Sequence, residues 1–565
     1  MPQTQPPGFM SYYLSFLRAL AAVVIAFIPA SILAQELHRI PYVGGVTDNS
    51  CVVLAWLASQ GTARVEYATD ESMSSPIRTA PLLSSKSDDN VLKFTLEPLT
   101  PAQRYYYRVI DESGRPISRT QSFKTFPRQG DDAPLTIFFG SCQQARAGDS
   151  GRVFNVAADL GGDMFVHLGD WTYPDLVDSD YPRTDTSLRR AYEFRLDTAY
   201  SFARRVLATM SMAYEWDDHD AYGSNSDGTV ADSIKKKVAG AYRRYTPHAP
   251  LPSEIGIWHA IRAGNVEIFM LDNRTYRSPI DQAFSGNQFL PPPGHSMLAG
   301  GSFTIPGQNQ ITWLMNAIRS STARWKIISS PLPFNPAMGQ MIPLALILGR
   351  RDVAERFAEE CWAGYPADID SIRSLIEQGF LANTLIISGS AHTNMYDDGT
   401  HSLLPEFVAA NLDQENSGLY DSLRAYGLRI WTAGQSGSES TVGRIRVETT
   451  PRHRLVVESF SESGARLLEL VVEEKGASTP VVDASRGGDA RTTFRNGRLT
   501  ILTDLQPGEG AIRLFAIDGR EVASAPLLVD DRGMAIWAIP PTLPPGRYVG
   551  RIERGNATLP FSLVK

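Results

Sequence analysis

The residue types richest in chemistry sit in Tyr214-Glu215-Trp216-Asp217-Asp218-His219-Asp220, where four acids and one imidazole fall within seven positions. Holding so many like charges together away from water costs several kcal/mol per ion unless a cation or hydrogen bonds compensate them. A metal ion is the simplest compensation, and a solvated acidic turn is the other reading of the heptapeptide taken alone. Three more clusters carry metal-capable side chains. Gly140-Ser141-Cys142-Gln143 offers a thiol, and Gly169-Asp170-Trp171-Thr172-Tyr173 a carboxylate and a phenol. Ser390-Ala391-His392, with Asp397 and Asp398 close behind, adds an imidazole and two acids.

The elements that position these groups follow from apolar patterning. Leu135 to Gly140 and Asp163 to Leu168 are short apolar runs of buried-strand type, and 151–160 between them is long enough for one helix, so the segment predicts a βαβ unit. In such sheets ligands gather at the carboxyl ends of the strands, where Cys142, Asp170 and Tyr173 fall. Asn383 to Gly389 predicts a further strand leading into His392, and Tyr200 to Met212 reads as an amphipathic helix before the acidic stretch. Met338 to Leu348 is apolar and suits either a lid or a core helix. Gly434-Gln-Ser436-Gly-Ser438 does not make a nucleophile elbow, which needs glycine two residues after the serine where Ser438 stands. His295 and His401 lie in loop-like sequence and read as surface residues.

Gly-Ser-Cys-Gln, then His-Leu-Gly-Asp-x-x-Tyr, then Trp-Asp-Asp-His-Asp resembles the alkaline phosphatase D (PhoD-type) branch of the metallophosphoesterases. Leu271-Asp272-Asn273-Arg274-Thr275-Tyr276-Arg277, Trp313-Leu314 and Trp362-Ala-Gly364-Tyr365-Pro366 continue the resemblance in order. It implies a four-layer α/β/β/α sandwich and metal-assisted hydrolysis of phosphate monoesters or diesters, on a small-molecule or polymer substrate. It also implies an iron(III) centre with calcium ions. Carried over residue by residue, Cys142 and Tyr173 would ligate the iron and Asp170 would bridge the metals. Asp218 would take the place that asparagine holds elsewhere in the superfamily, and Asp217 and Asp220 would supply further oxygens or orient His219. His219 would contact the phosphate or protonate the leaving group, and His392 and Asp398 would close the site. Ser390 departs from the pattern, standing where the family carries an aspartate, and a hydroxyl binds a hard cation more weakly than a carboxylate does. Two other readings compete: an inactive cell-surface binding protein on the same fold, and a hydrolase using Cys142 as nucleophile.

The rest of the 565 residues frames this centre. A chain of that length predicts about three or four domains. A net charge of −7 without a basic stripe argues against specific nucleic-acid binding. Residues 1–34, with an apolar run from Ala19 to Ile28 and small residues before Gln35, read as a signal peptide, which predicts a secreted or cell-surface protein, or a periplasmic one. Three cysteines cannot all pair, so at least one is free or a ligand. Residues 35–128 read as a fibronectin type III/Ig-like β-sandwich, on strand-length runs such as Cys51 to Leu57 and Arg104 to Val109. Residues 129–475 form the catalytic unit, 476–498 a polar linker, and 499–565 a β-sandwich. Leu514-Phe-Ala-Ile-Asp518-Gly-Arg-Glu-Val and Leu543-Pro-Pro-Gly546-Arg-Tyr-Val in that last block resemble type IX secretion sorting domains, which implies secretion machinery as a partner. Oligomeric state is not legible.

Overall fold

The computed structural model describes residues 35–144, 151–299 and 309–475, together with the backbone of strands between Ala490 and Val564. The signal-peptide segment lies outside the described residues. Among the described residues no helix is long and apolar enough to cross a membrane.

Two large sheets face each other. In the first, Leu135–Gly140, Met164–His167 and Ser211–Tyr214 run parallel, and the antiparallel strands Thr441–Glu448, Arg454–Ser461 and Arg466–Glu473 extend one side. In the second, Val266–Met270, Trp325–Ser330, Thr384–Ser388 and Glu406–Ala409 run parallel. Because side chains alternate across a strand, Ile137 and Phe139 point between the sheets, toward a core with Ile268, Ile327, Leu385 and Phe407. Phe138 points the other way, into a layer with Val153, Leu188 and Val238 from helices Arg152–Leu160, Asp185–Arg195 and Asp232–Tyr245. On the far side Ile328 and Ile386 pack under Leu314 and Ile372 of helices Gln310–Ser320 and Pro366–Glu377. The result is the expected α/β/β/α sandwich, in which strands buried on both faces read as unbroken apolar runs.

Three sequence expectations change. The run from Tyr200 yields only a short helical turn, Phe202–Val206, because Ser211–Tyr214 is claimed by the central sheet as a fully buried strand. Strand Ala490–Arg495 falls inside the stretch read as linker, since its alternating residues pair along Arg498–Thr503. The amino-terminal module is not a free-standing sandwich. Its strands Leu37–Gly44, Cys51–Leu57 and Val91–Leu96 continue the first large sheet, Leu37–Gly44 lying beside Ser211–Tyr214. Its other sheet, built on Thr62–Ala68, Arg104–Asp111 and Gln121–Lys124, packs over that extension. The carboxy-terminal strands form two antiparallel sheets, and the Asp518-Gly519-Arg520 turn lies outside the described residues, although the strands flanking it pair as a hairpin does.

Candidate metal centre

The parallel strands of both sheets end at one edge, and the loops leaving them carry the chemistry. Cys142, Asp170, Ser390 and His392 all adopt left-handed backbone, with φ of 62°, 51°, 59° and 47°. Non-glycine residues rarely hold that conformation, and such residues cluster where geometry serves function. The loops are stitched together. The Cys142 amide donates to the Gly169 carbonyl at 3.3 Å and the Gln143 amide to that of Asp170 at 2.8 Å. Gly169, at φ 96°, has no room for a side chain, for a Cβ would sit 2.5 Å from the Asp217 nitrogen.

Asp220 ties this arrangement from beneath. Its carboxylate accepts from the amides of Asp170 (3.0 Å), Trp171 and Asp217 (2.8 Å), and faces Arg195 at 3.6 Å. It is therefore a positioning residue rather than a donor to a metal. Asp220→Ala is expected to lower the melting temperature by several degrees, at a cost of about 3 kcal/mol, because three buried amides and a buried guanidinium lose their partner. Thermal unfolding with and without the substitution checks this.

Two sets of ligating atoms come together, each within 4.8 Å: Cys142, Asp170 and His392, and Asp170, Asp218 and His219. Asp170 belongs to both. Tyr173 joins the first set, its hydroxyl 3.2 Å from His392 Nε2 and hydrogen-bonded to Cys142. The Cys142 thiol donates to Asp170 Oδ2 at 3.7 Å, while Asp170 Oδ1 is buried without any partner. His219 gives Nδ1 to Asp175 at 2.9 Å and packs its ring on Tyr173, centroids 4.4 Å apart.

The site gathers buried negative charge. Burial, then the neighbouring Asp218, Asp217 and Asp220, push the Asp170 carboxyl well above its ordinary value. Burial and Asp170 do the same to the Cys142 thiol. Asp218 is buried too, yet Arg274 and His219 hold it below its ordinary value. Burial pulls His219 down, and the bond to Asp175 with the nearby Asp218 outweighs it, so the imidazole titrates above its usual range. Burial and His219 lower His392, which favours the neutral ring that metals take. A cation against Asp170 would offset the carboxylate repulsion and supply the orphaned oxygen with a partner.

Asp217 and Asp398 do not join either set. Asp217 Oδ1 accepts from Arg274 Nε at 2.5 Å, so it serves as that guanidinium's counter-ion. Asp398 is exposed at the end of strand Asn394–Asp397, where it accepts from the Thr400 amide at 3.0 Å and from Thr432 at 3.1 Å. The carboxylate of Asp397 is likewise committed to its own turn, accepting from Gly399, His401 and Ser402 amides. The place opposite Ser390 is instead occupied by Glu360, to whose Oε2 the Ser390 hydroxyl donates at 3.3 Å. Burial, with Asp218 and Asp217 working against Arg274, raises Glu360 to about 7.

Sequence reading missed three contributors. Glu360 stands two residues before Trp362 and had no motif of its own. Asp175 lies two residues past Tyr173, where nothing marked it as the partner of His219. Arg274 was seen only as a landmark, yet it is fully buried against Asp217 and Asp218. His295 is no surface residue either; it is buried and stacks on Tyr365. All three cysteines are free and buried.

Comparison with known proteins identifies relatives of this chain. Residues 137–447 match the family model of PhoD-like phosphatases, and residues 42–127 match the model of the amino-terminal domain of PhoD-like phosphatases. Alkaline phosphatase D of Bacillus subtilis (strain 168) is 25% identical over 390 residues, a match spanning 64% of this chain and 62% of that protein's length. A solved structure of PhoD is similar in fold, with a TM-score of 0.58 at 18% identity, over 78% of this chain and 94% of that one. The first of these matches takes in more than half of the chain and includes Cys142, Asp170, Asp218, His219 and His392, so the protein belongs to the PhoD-like phosphatase family.

Proposed function

We propose that the protein is a metal-dependent phosphohydrolase acting on phosphate monoesters or diesters. The observation that carries this reading is the pair of ligand sets sharing Asp170 at one strand edge. Cys142, Asp170, Tyr173 and His392 would hold one cation, and a thiolate with a phenolate suits iron(III) better than a hard alkaline-earth ion. Asp170 and Asp218 would hold the second, a harder ion such as calcium, with His219 beside it on the substrate side. Bound there, a cation pair supplies Lewis-acid stabilisation of the phosphate and lowers the pKa of water.

The chain's own residues do the rest. Asp220 and Gly169 fix the approach of the loops, and Arg274 restrains Asp217 and Asp218. Asp175 accepts the Nδ1 proton of His219, leaving Nε2 as the atom that carries or receives a proton on the substrate side. In the hydrolysis, the oxygen of water bonds to phosphorus and the bond from phosphorus to the ester oxygen breaks. One water proton ends on the departing alcohol. A thiol hydrolase is disfavoured, because Cys142 is fully buried among the other ligands of the first set and does not line the cavity that a substrate would enter.

The test is metal content by elemental analysis, with turnover of bis-p-nitrophenyl phosphate before and after chelation. Iron and calcium with chelator-sensitive turnover are expected, and a protein that stays inert after metals are restored would overturn the reading. Glu360 supports the second cation in place of the carboxylate absent at Ser390. Glu360→Gln is expected to weaken retention of the looser ion by about tenfold or more, read by equilibrium dialysis, and Ser390→Asp in that background should restore it. The apolar run before Gln35 supports export, and the carboxy-terminal strands suit a sorting domain. Amino-terminal sequencing and cell fractionation test both.

A further inference from the structure

A cavity of about 670 Å³ opens from the site, with Asp170, Asp218, His219 and His392 at its floor. Above the floor its character changes. Met338, Met341 and Leu344 line one wall, from the apolar run that becomes a 3-10 turn (Pro336–Gln340) and helix Met341–Ile347. Phe357 of helix Arg351–Glu359 and Leu423 of helix Leu419–Ala425 line the others, and Leu348 stands 62% exposed at the mouth. Two guanidiniums reach the rim, Arg356 and Arg350, the latter engaged with Asp352 at 2.8 Å.

We infer that this wall is a subsite for the alcohol side of the substrate, and that the alcohol carries an alkyl chain. The inference rests on the phosphohydrolase reading, since the chain is placed by a phosphate at the floor. A cleft of this size holds a drug-sized ligand. The Met338, Met341 and Leu344 wall is aliphatic and thioether, with the aromatic rings of Phe357 and Tyr426 elsewhere in the lining, and methionine adapts to flexible, irregular chains. A hydroxyl of a sugar or polyol phosphate set against Met341 and Leu344 would lose its water there without a partner, while polar side chains such as Ser224, Asn225 and Ser422 line other parts of the cavity. The alkyl chain belongs either to a soluble amphiphile or to a bilayer lipid.

The experiment uses the metal-loaded full chain with methyl, butyl, hexyl and octyl phosphates and the corresponding symmetrical dialkyl phosphates, release of the alkyl alcohol being measured below their micelle concentrations. kcat/KM should rise about fourfold per buried methylene until the cavity is full. Leu344→Asn and, at the exposed mouth, Leu348→Asn should each cut the octyl-to-methyl ratio several-fold. A flat series with the methyl ester still cleaved, or an unchanged ratio in both variants, would overturn the subsite and leave the hydrolase reading standing. If no ester is cleaved, the hydrolase reading fails, and calorimetry with methyl, butyl and octyl phosphonates decides the subsite. Affinity that climbs with chain length supports it and equal affinities reject it. Vesicles of dioleoylphosphatidylglycerol separate the sources. Cleavage there assigns a bilayer lipid, and cleavage of the soluble octyl ester alone assigns a soluble amphiphile.

Discussion

Asp170→Asn is expected to lower kcat/KM toward bis-p-nitrophenyl phosphate by about 10³-fold or more and to deplete both cations at once. The reason is that Asp170 alone belongs to both ligand sets. An amide has nearly the same shape but no charge, so the loop is kept while the shared anion is lost. Outer-shell partners of metal ligands are each worth about 10–100-fold in affinity or activity, and a ligand common to two ions must exceed that. The metal-free variant should behave oppositely in stability. Removing one charge from the group formed with Asp217, Asp218 and Asp220 relieves the repulsion that pushes Asp170 up, so its melting temperature should match or exceed that of metal-free parent. Elemental analysis, kinetics and thermal unfolding read the three effects separately. As a control, Asp398→Ala should leave kcat/KM within about twofold, since an exposed turn residue carries little of this energy. Retained metal and turnover in the Asp170 variant would sink the assignment.

Arg274→Ala should produce the largest loss of stability in the catalytic unit, about 3–5 kcal/mol. Its guanidinium is fully buried, with Nε on Asp217 and Nη2 3.5 Å from Asp218. Without it, those two carboxylates face each other and Glu360 in a low-dielectric pocket with Arg277 as the remaining buried guanidinium. Bound metal supplies positive charge to the same group, so the deficit should be larger in metal-free protein than in loaded protein. Arg274→Lys keeps the charge but loses the planar fork, and should recover only part of the loss. Melting curves of all three proteins, each with and without metal, settle this. A deficit that is equal in both states would mean that Arg274 acts through packing alone.

Much of the site could be read in the sequence because its donors follow directly from strands. Cys142, Asp170 and His392 each come within four residues of a buried apolar run, and such runs announce both the strand and its end. What stayed hidden depends on contacts between distant segments. Glu360 meets Ser390 across 30 residues, Asp175 meets His219 across 44, and Arg274 meets Asp217 across 57. No local periodicity encodes such pairs. Asp398, which the family resemblance implies as a ligand, lies exposed at the end of Asn394–Asp397 and apart from both ligand sets. The helix expected up to Met212 failed because sheet pairing with Met164–His167 overrode the local amphipathic pattern.

Strand Leu37–Gly44 covers Ser211–Tyr214, the strand from which the acidic loop springs. A strand made early thus contributes the pairing partner of another some 170 residues later. Synthesis would expose one unpaired hydrogen-bonding edge until the other arrives, a long-range closure of the kind that slows folding. Trimming the chain to a minimal enzyme beginning near residue 129 would leave the edge of Ser211–Tyr214 permanently open to other chains. Such a fragment should self-associate rather than work as a smaller phosphatase.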